Sequence, residues 1–437
     1  MLRELRVSGY RSLRSIELPF EQLTVVVGPN GTGKTNLYSA LQLLSSAAGG
    51  TLAQALSLQG GLPSALWAGP RRKQESNRIE VFAGLADLSY ELQIGLVPPP
   101  QGPFLLDPDV KEERLLVGKH VAAERRGPGA WSRDDEGKRQ TFAKPLWGSE
   151  SMLAQIIEPQ RFTLLAELRA RLLSWRFYHS FRSDAEAPAR QARLGVHTPA
   201  LAHDGSDLAA ALMTIDHVGD GALLHETFER GFPGARLLPV ALGQGRFSFQ
   251  IEMPGLLRPL EPAEASDGTL RFLYLLAALL SPRAPPFLAL NEPETSLHEG
   301  MIDALAALIL AAAKRGQIFV VTHSEKLARA LDGAAVHQLS KDDGATVLAE
   351  REEPAIEPAR ETDGMKRVRV RSSMLAELAY DEAVQTLEVL FRNGRTYRYF
   401  DVPPEVWREL TAAEDDGGSA GEYFNQNIRT QYRYEKA

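Results

Sequence analysis

Residues 28–35 read Gly-Pro-Asn-Gly-Thr-Gly-Lys-Thr and directly follow the apolar run Leu23, Thr24, Val25, Val26, Val27. Glycine, glycine, lysine and threonine at that spacing, after a buried strand and before a helix, make a loop that cradles phosphates. The backbone N–H groups of Asn30, Gly31, Thr32, Gly33, Lys34, Thr35 and Asn36 can surround a β-phosphate. The Lys34 ammonium can reach the β and γ oxygens, and the Thr35 hydroxyl can ligate Mg2+. Leu37, Leu41 and Leu44 give residues 36–46 a helical apolar spacing, so a helix N-terminus points at the phosphates. The chemistry implied is binding of a nucleoside triphosphate with magnesium.

Three more groups extend that chemistry. The run Leu288, Ala289, Leu290 ends in Asn291, Glu292, Pro293, Glu294. At the carboxyl end of such a strand Glu292 is placed to polarise an attacking water as a general base. Val320, Val321 and Thr322 lead to His323, where an imidazole can hydrogen-bond the γ-phosphate or the attacking water. Ser266 reads as the N-cap of a helix over 270–280. With the small residue Gly268 beside it, it leaves free N–H groups for a second anion. One chain cannot readily use that site on its own far side; two chains facing each other can.

The elements that must position these groups follow from apolar patterning. Residues 2–27 read as strands, 287–290 and 318–321 as buried strands, and the alanine-rich residues 301–314 as the helix between the last two. Strands alternating with helices imply a parallel sheet, so residues 23–27, 287–290 and 318–321 are expected as neighbours. The head then covers 1–348, with a core of 1–50 and 260–348. Residues from about 50 to 260 form an insertion. In it, 79–85 and 90–96 read as paired strands and 107–147 as further hairpins. Residues 151–176 read as helical, with Leu164, Leu165, Leu168, Leu172 and Leu173 on one face. A second helix is expected to start at Ser206 as N-cap.

Composition sets outer limits. The chain has 437 residues, 44% apolar and 24% charged, enough for two or three ordinary domains. A net charge of −7 argues against a uniformly basic nucleic-acid binder but leaves room for a local basic groove. Without cysteine there is no disulfide, thiolate zinc site or cysteine nucleophile. The first residues lack the apolar core of a signal peptide, and the apolar stretch 273–280 is too short to span a bilayer. A cytoplasmic protein without membrane association is expected.

Taken together, these residues resemble the ATP-binding-cassette ATPases of the RecF, SMC and OLD-like branch, closest to a RecF-like group. Gly28 to Thr35 looks like Walker A, and Ser266-Asp267-Gly268 looks like the signature motif. Leu288 to Glu292 looks like Walker B, Thr295-Ser296-Leu297-His298 like the D-loop, and His323 like the switch histidine. Gly9-Tyr10-Arg11-Ser12-Leu13 is similar to the strand that opens these proteins, which places Arg11 near the nucleotide. The resemblance implies an α/β P-loop NTPase of the ABC-ATPase head type: a parallel sheet flanked by helices, an antiparallel β lobe and a helical insertion. It implies ATP and Mg2+ as cofactors, hydrolysis of ATP, and a homodimer in which Walker A of one copy meets Ser266 of the other. DNA is the implied partner, in repair or the damage response; the alternative is a sensor or scaffold in a defence or toxin-like system that recruits an effector. Asn291 departs from the family's aspartate: an amide can hold a metal-bound water but loses the charge attraction, which bears on the rate of hydrolysis. The glutamine of the Q-loop has no assigned position.

Residues 349–364 are charged, contain proline and lack an apolar period, and read as a linker. Residues 365–437 resemble the KTSC domain through Val370-Arg371-Ser372-Ser373, Phe391-Arg392-Asn393-Gly394, Tyr397-Arg398-Tyr399 and Tyr423-Phe424-Asn425-Gln426-Asn427, implying a small α+β fold. Asn393-Gly394 reads as the turn of a hairpin. Its arginines and tyrosines leave two readings: stacking on nucleic acid, or a half-buried hairpin with solvated arginines. An effector protein is the other partner this module offers.

Overall fold

The computed structural model describes residues 1–71, 75–96, 103–104, 106–349, 360–362, 365–370, 372, 375–391, 396–412, 420–429 and 431–436. The chain divides into two compact units, Met1–Ala349 and Glu350–Ala437.

The first unit is built on a six-stranded sheet in the order Arg176–Tyr178, Phe287–Asn291, Gln317–Thr322, Leu23–Val27, Ala335–Asp342, Ala345–Leu348. The first five strands run parallel, and Ala345–Leu348 returns antiparallel. The expected neighbours are therefore neighbours: Phe319 sits opposite Thr24 and Ala289. Period-two alternation divides the strand residues between two cores. Val26, Phe287, Ala289, Phe319 and Val321 join one core with Leu37, Leu41 and Leu44 of the helix Lys34–Gly49. Val25, Leu288, Leu290, Ile318 and Val320 join the other with the helices Asp267–Leu280 and Ile302–Ala313.

The β lobe is an eight-stranded antiparallel sheet. Leu2–Tyr10 and Leu13–Pro19 pair with each other, and Arg78–Leu85 continues the sheet from Leu2–Tyr10 through Ser89–Gly95 to four strands in 109–141. The Gln317 side chain joins the two sheets. Its Oε1 accepts from Leu2 N–H at 2.8 Å, and its Nε2–H donates to the carbonyls of Leu2 and Glu21 at 2.7 and 2.9 Å.

Two local expectations change. In the helix Thr163–Leu173, Leu165, Leu168 and Leu172 are buried while Leu173 is 37% exposed. At ~100° per residue Leu164 lies next to Leu168 and packs half-buried against the same core, whereas Leu173 turns away from that face. The next helix is Leu208–Val218, whose N-cap is Asp207, not Ser206. Ser206 N–H instead donates to Asp204 Oδ1 in a local turn, an alternative these short polar side chains favour.

In the second unit, six strands form an antiparallel sheet that includes Arg360–Thr362, a segment that composition places in the linker. Thr386–Phe391 pairs with Thr396–Tyr399; the Asn393-Gly394 turn lies outside the described residues. Tyr399 is 3% exposed in the core, and Arg398 Nε donates to Glu388 Oε2 at 2.9 Å across the strands. This supports the second reading for Tyr399 and Arg398: the ring is buried and the guanidinium is paired at the surface. Tyr380 stacks on Trp407 at 5.2 Å between ring centroids, fixing the helix Pro404–Ala412 to the sheet.

Among the described residues, the most deeply buried ion pair sits in the β lobe. Arg125 Nη1 lies 3.2 Å from Glu113 Oε2 with both side chains fully buried. Glu113 also accepts from Tyr90 and Ser151 hydroxyls, both at 2.5 Å, and from Met152 N–H at 2.8 Å, tying the lobe to the helix Met152–Gln155. Removing one partner strands a buried charge. Arg125→Met is expected to cost about 3–5 kcal/mol, against about 0–1 for an exposed pair such as Arg329–Glu325. Urea unfolding of the two variants checks it; equal, small losses would contradict the assignment.

Candidate functional site

The site forms where the parallel strands end. Leu23–Val27 leads into the loop, and the helix Lys34–Gly49 begins after Gly33, which holds φ +98° as N-cap. A side chain there has no room: a Cβ on Gly33 would stand 2.1 Å from Thr346 Oγ1 and 2.5 Å from Ser12 Oγ. Those hydroxyls bond each other at 2.7 Å, and Thr346 Oγ1–H donates to the Thr32 carbonyl at 2.7 Å. Asn36 Nδ2–H donates to Ser12 Oγ at 2.7 Å. The loop is thus braced by the turn that carries Arg11 and by the strand Ala345–Leu348. Arg11 itself has φ +49°, and its guanidinium lies 5.9 Å from the Tyr10 ring.

Lys34 is 4% exposed, and its ammonium donates to the carbonyls of Gly28 and Pro29 at 2.6 and 2.9 Å. Burial lowers its pKa, opposed by the charges of Glu292 and Glu294. The loop therefore holds its cation over its own mouth, beside two carboxylates. Asn30 and Gly31 are exposed, and Thr35 is half-buried at the helix start.

Phe287–Asn291 delivers Asn291 to the same edge. Asn291 is 2% exposed; its Nδ2–H donates to His179 Nδ1 at 2.5 Å, and its Oδ1 is buried with no partner. Glu292 follows at φ +48°, a left-handed conformation that costs a non-glycine residue on the order of 1–3 kcal/mol. Three bonds hold it there: Glu292 N–H to the Val321 carbonyl at 2.7 Å, and Arg271 Nη2–H and Thr295 N–H to the Glu292 carbonyl at 2.8 and 3.2 Å.

Glu294 is a site residue that the sequence reading left without a role. It is 7% exposed, and its Oε1 accepts from the Thr322 hydroxyl at 2.5 Å, His323 N–H at 3.1 Å and Ser324 N–H at 3.3 Å. His323 Nδ1 lies 3.2 Å from Glu294 Oε1 and 3.8 Å from Glu292 Oε1, so Glu294 sets the turn that presents His323 to Glu292. Its Oε2 is buried without a partner.

His179 is the second residue missed. It follows the three-residue strand Arg176–Tyr178, too short to show a period in the sequence. Packing around its ring and the nearby Arg271 guanidinium lower its pKa, consistent with the neutral Nδ1 that accepts from Asn291.

Ser266 stands apart. Its Oγ caps its own helix, accepting from Thr269 N–H at 3.1 Å, and it is exposed. A Cβ on Gly268 would meet the Ser296 carbonyl at 2.5 Å, so that helix start is packed on the Thr295–His298 turn. Among the described contacts, Ser266 touches none of Lys34, Asn291, Glu292 or His323.

Asn291 Oδ1 and Glu294 Oε2 are buried acceptors without partners, and amide and carboxylate oxygens are donors of the kind magnesium takes, so the residues fit that ion. When bound, that ion would neutralise phosphate charge.

A parallel sheet whose carboxyl ends gather a phosphate loop, a strand-end carboxylate and a histidine has the P-loop NTPase fold of the ABC-ATPase head type. Residues 23–329 match the family model described as "AAA domain, putative AbiEii toxin, Type IV TA system", and the chain belongs to that family. Residues 371–432 match the KTSC domain. A protein of Stutzerimonas stutzeri is 49% identical over 71 residues, 16% of this chain and 94% of the relative. An OLD nuclease of Thermus scotoductus is 48% identical over 44 residues, 10% of this chain and 8% of that protein. Among solved structures, the SMC head domain from Thermotoga maritima aligns with TM-score 0.39 and 16% identity, covering 80% of this chain and 99% of that one. No helix among the described residues is long and apolar enough to cross a membrane.

Gly33→Ala meets both a positive φ and a steric clash, whereas Gly31→Ala at φ +81° meets nothing within 4 Å. Titration with a fluorescent ATP analogue is expected to show about tenfold or greater loss for Gly33→Ala and a smaller loss for Gly31→Ala. Equal affinities would contradict the bracing of the loop by Ser12 and Thr346.

Proposed function

We propose that the chain binds ATP with magnesium at the phosphate loop and hydrolyses it between two copies of itself. The loop residues Asn30 to Asn36 hold the phosphates, with Arg11 close by. Thr35 and Asn291 hold the ion, Asn291 through water. Glu292 accepts a proton from the attacking water, and His323, oriented by Glu294, steadies the γ-phosphate. Ser266 and the N–H groups up to Gly268 complete the site of the partner copy. The observation that carries this reading is the gathering of Lys34, Asn291, Glu292 and His323 at one strand edge while Ser266, exposed at its helix start, touches none of them.

The cycle then serves as a clamp in the cytoplasm: ATP joins two heads, hydrolysis parts them, and the joined heads engage DNA in repair or the damage response. A second reading is favoured by the family's own description, which names a toxin of a type IV toxin–antitoxin system. In it the joined heads act as a sensor or scaffold of a defence system. The C-terminal unit, whose Arg398 is paired to Glu388, then meets an effector protein rather than nucleic acid.

Glu292→Gln retains ATP without turning it over, and Lys34→Ala loses nucleotide. Size-exclusion with light scattering is expected to show Glu292→Gln as a dimer in ATP and Lys34→Ala as a monomer; a monomeric Glu292→Gln would sink the two-copy site. Turnover by the wild type that rises with DNA supports the clamp on DNA. Turnover indifferent to DNA, with no DNA binding in ATP, removes that reading and leaves the defence one.

A further inference from the structure

The two ends of the Asn291 amide meet different things. Nδ2 stands 2.5 Å from His179 Nδ1, which accepts its N–H in the tautomer protonated at Nε2, while the buried Oδ1 meets no donor. An amide can be turned by 180°, and its surroundings decide which way it faces. A neutral imidazole with its lone pair on Nδ1 takes the NH2 end and leaves the oxygen free. The reverse turn would bury an unsatisfied donor and point it at a cation. A carboxylate has an oxygen at either end and needs no such partner, but an amide does.

We propose that His179 is a positioning residue for the magnesium site: its Nδ1 holds the Asn291 amide with Oδ1 presented to the ion's water shell. This rests on the ATP–magnesium reading above. The fold places His179 for the task. Arg176–Tyr178 pairs parallel with Phe287–Asn291, Tyr178 opposite Leu290, so the next residue on each strand is a neighbour of the other. The ring packs 5.9 Å from that of Tyr38 on the phosphate-loop helix. The His179 carbonyl accepts from Arg271 Nη2–H at 3.5 Å, and the same guanidinium group holds Glu292. His179 thus answers the loss of the carboxylate at position 291: an oriented dipole stands where a charge would otherwise act.

The test is calorimetric binding of a non-hydrolysable ATP analogue to the full chain, with magnesium and with EDTA. The readout is the gain in affinity that magnesium confers. His179→Leu is expected to cut that gain about tenfold while shifting affinity in EDTA less than about twofold. His179→Asn, which returns an acceptor near the place of Nδ1, is expected to restore the gain to within about threefold. In an Asn291→Asp background, His179→Leu is expected to change the gain less than about twofold, because either carboxylate oxygen serves. An undiminished gain in His179→Leu, or an equal loss in the Asn291→Asp background, overturns the inference and leaves the ATP reading standing. A wild type whose affinity is indifferent to magnesium overturns the magnesium reading and this inference with it.

Discussion

The candidate site depends first on the parallel registration of four strands. Tyr178 lies opposite Leu290, Asn291 opposite Val321, and Thr322 opposite Val27. Each strand stops at nearly the same height, so the next residues of each, His179, Glu292, His323 and Gly28, fall on one edge. Parallel pairing does this because every strand presents its carboxyl end on the same side, and the crossovers bury both faces. The same arrangement explains how residues separated by more than two hundred positions act together without a long-range tether of their own.

On that edge the polar groups are held unevenly. Glu294 spends one oxygen on three donors, fixing the turn of His323, and keeps the other unmatched. Glu292 sits in a strained backbone conformation held by Val321 and Arg271. Lys34 folds onto its own loop carbonyls. Strain, unmatched acceptors and a buried cation are costs in the free chain, and under the proposed function a phosphate and a metal would match the cation and the acceptors. Arg271 lies on the helix capped by Ser266 and grips the carbonyl of Glu292. One helix therefore holds the backbone of Glu292, while Ser266 at its start is exposed.

Much of this was legible in the residues. The phosphate loop declares itself because glycines, lysine and threonine serve one purpose at that spacing, and the buried strands 23–27, 287–290 and 318–321 are apolar runs with clear ends. The β lobe follows from alternation over 79–96. What escaped was short or tertiary. Arg176–Tyr178 has three residues, too few for a period, so His179 could not be placed beside Asn291. Glu294 looks like an ordinary strand-end acid until the backbone of 322–324 folds over it. Ser206 has the right type for a helix cap, but its N–H is held by Asp204 in a local turn and Asp207 stands at the N-cap. Of the leucines over 164–173, only Leu173 turns out of the apolar face, where the 100° step from Leu172 carries it.

The central claim is that each site needs two copies, and mixing two broken chains tests it most directly. A Lys34→Ala chain keeps Ser266, and a Ser266→Arg chain keeps Lys34, so a mixed pair contains one complete site. Neither variant alone is expected to turn over ATP, and an equimolar mixture is expected to regain a substantial part of the wild-type rate. A mixture as inactive as its components, or a Ser266→Arg chain fully active alone, would contradict the account.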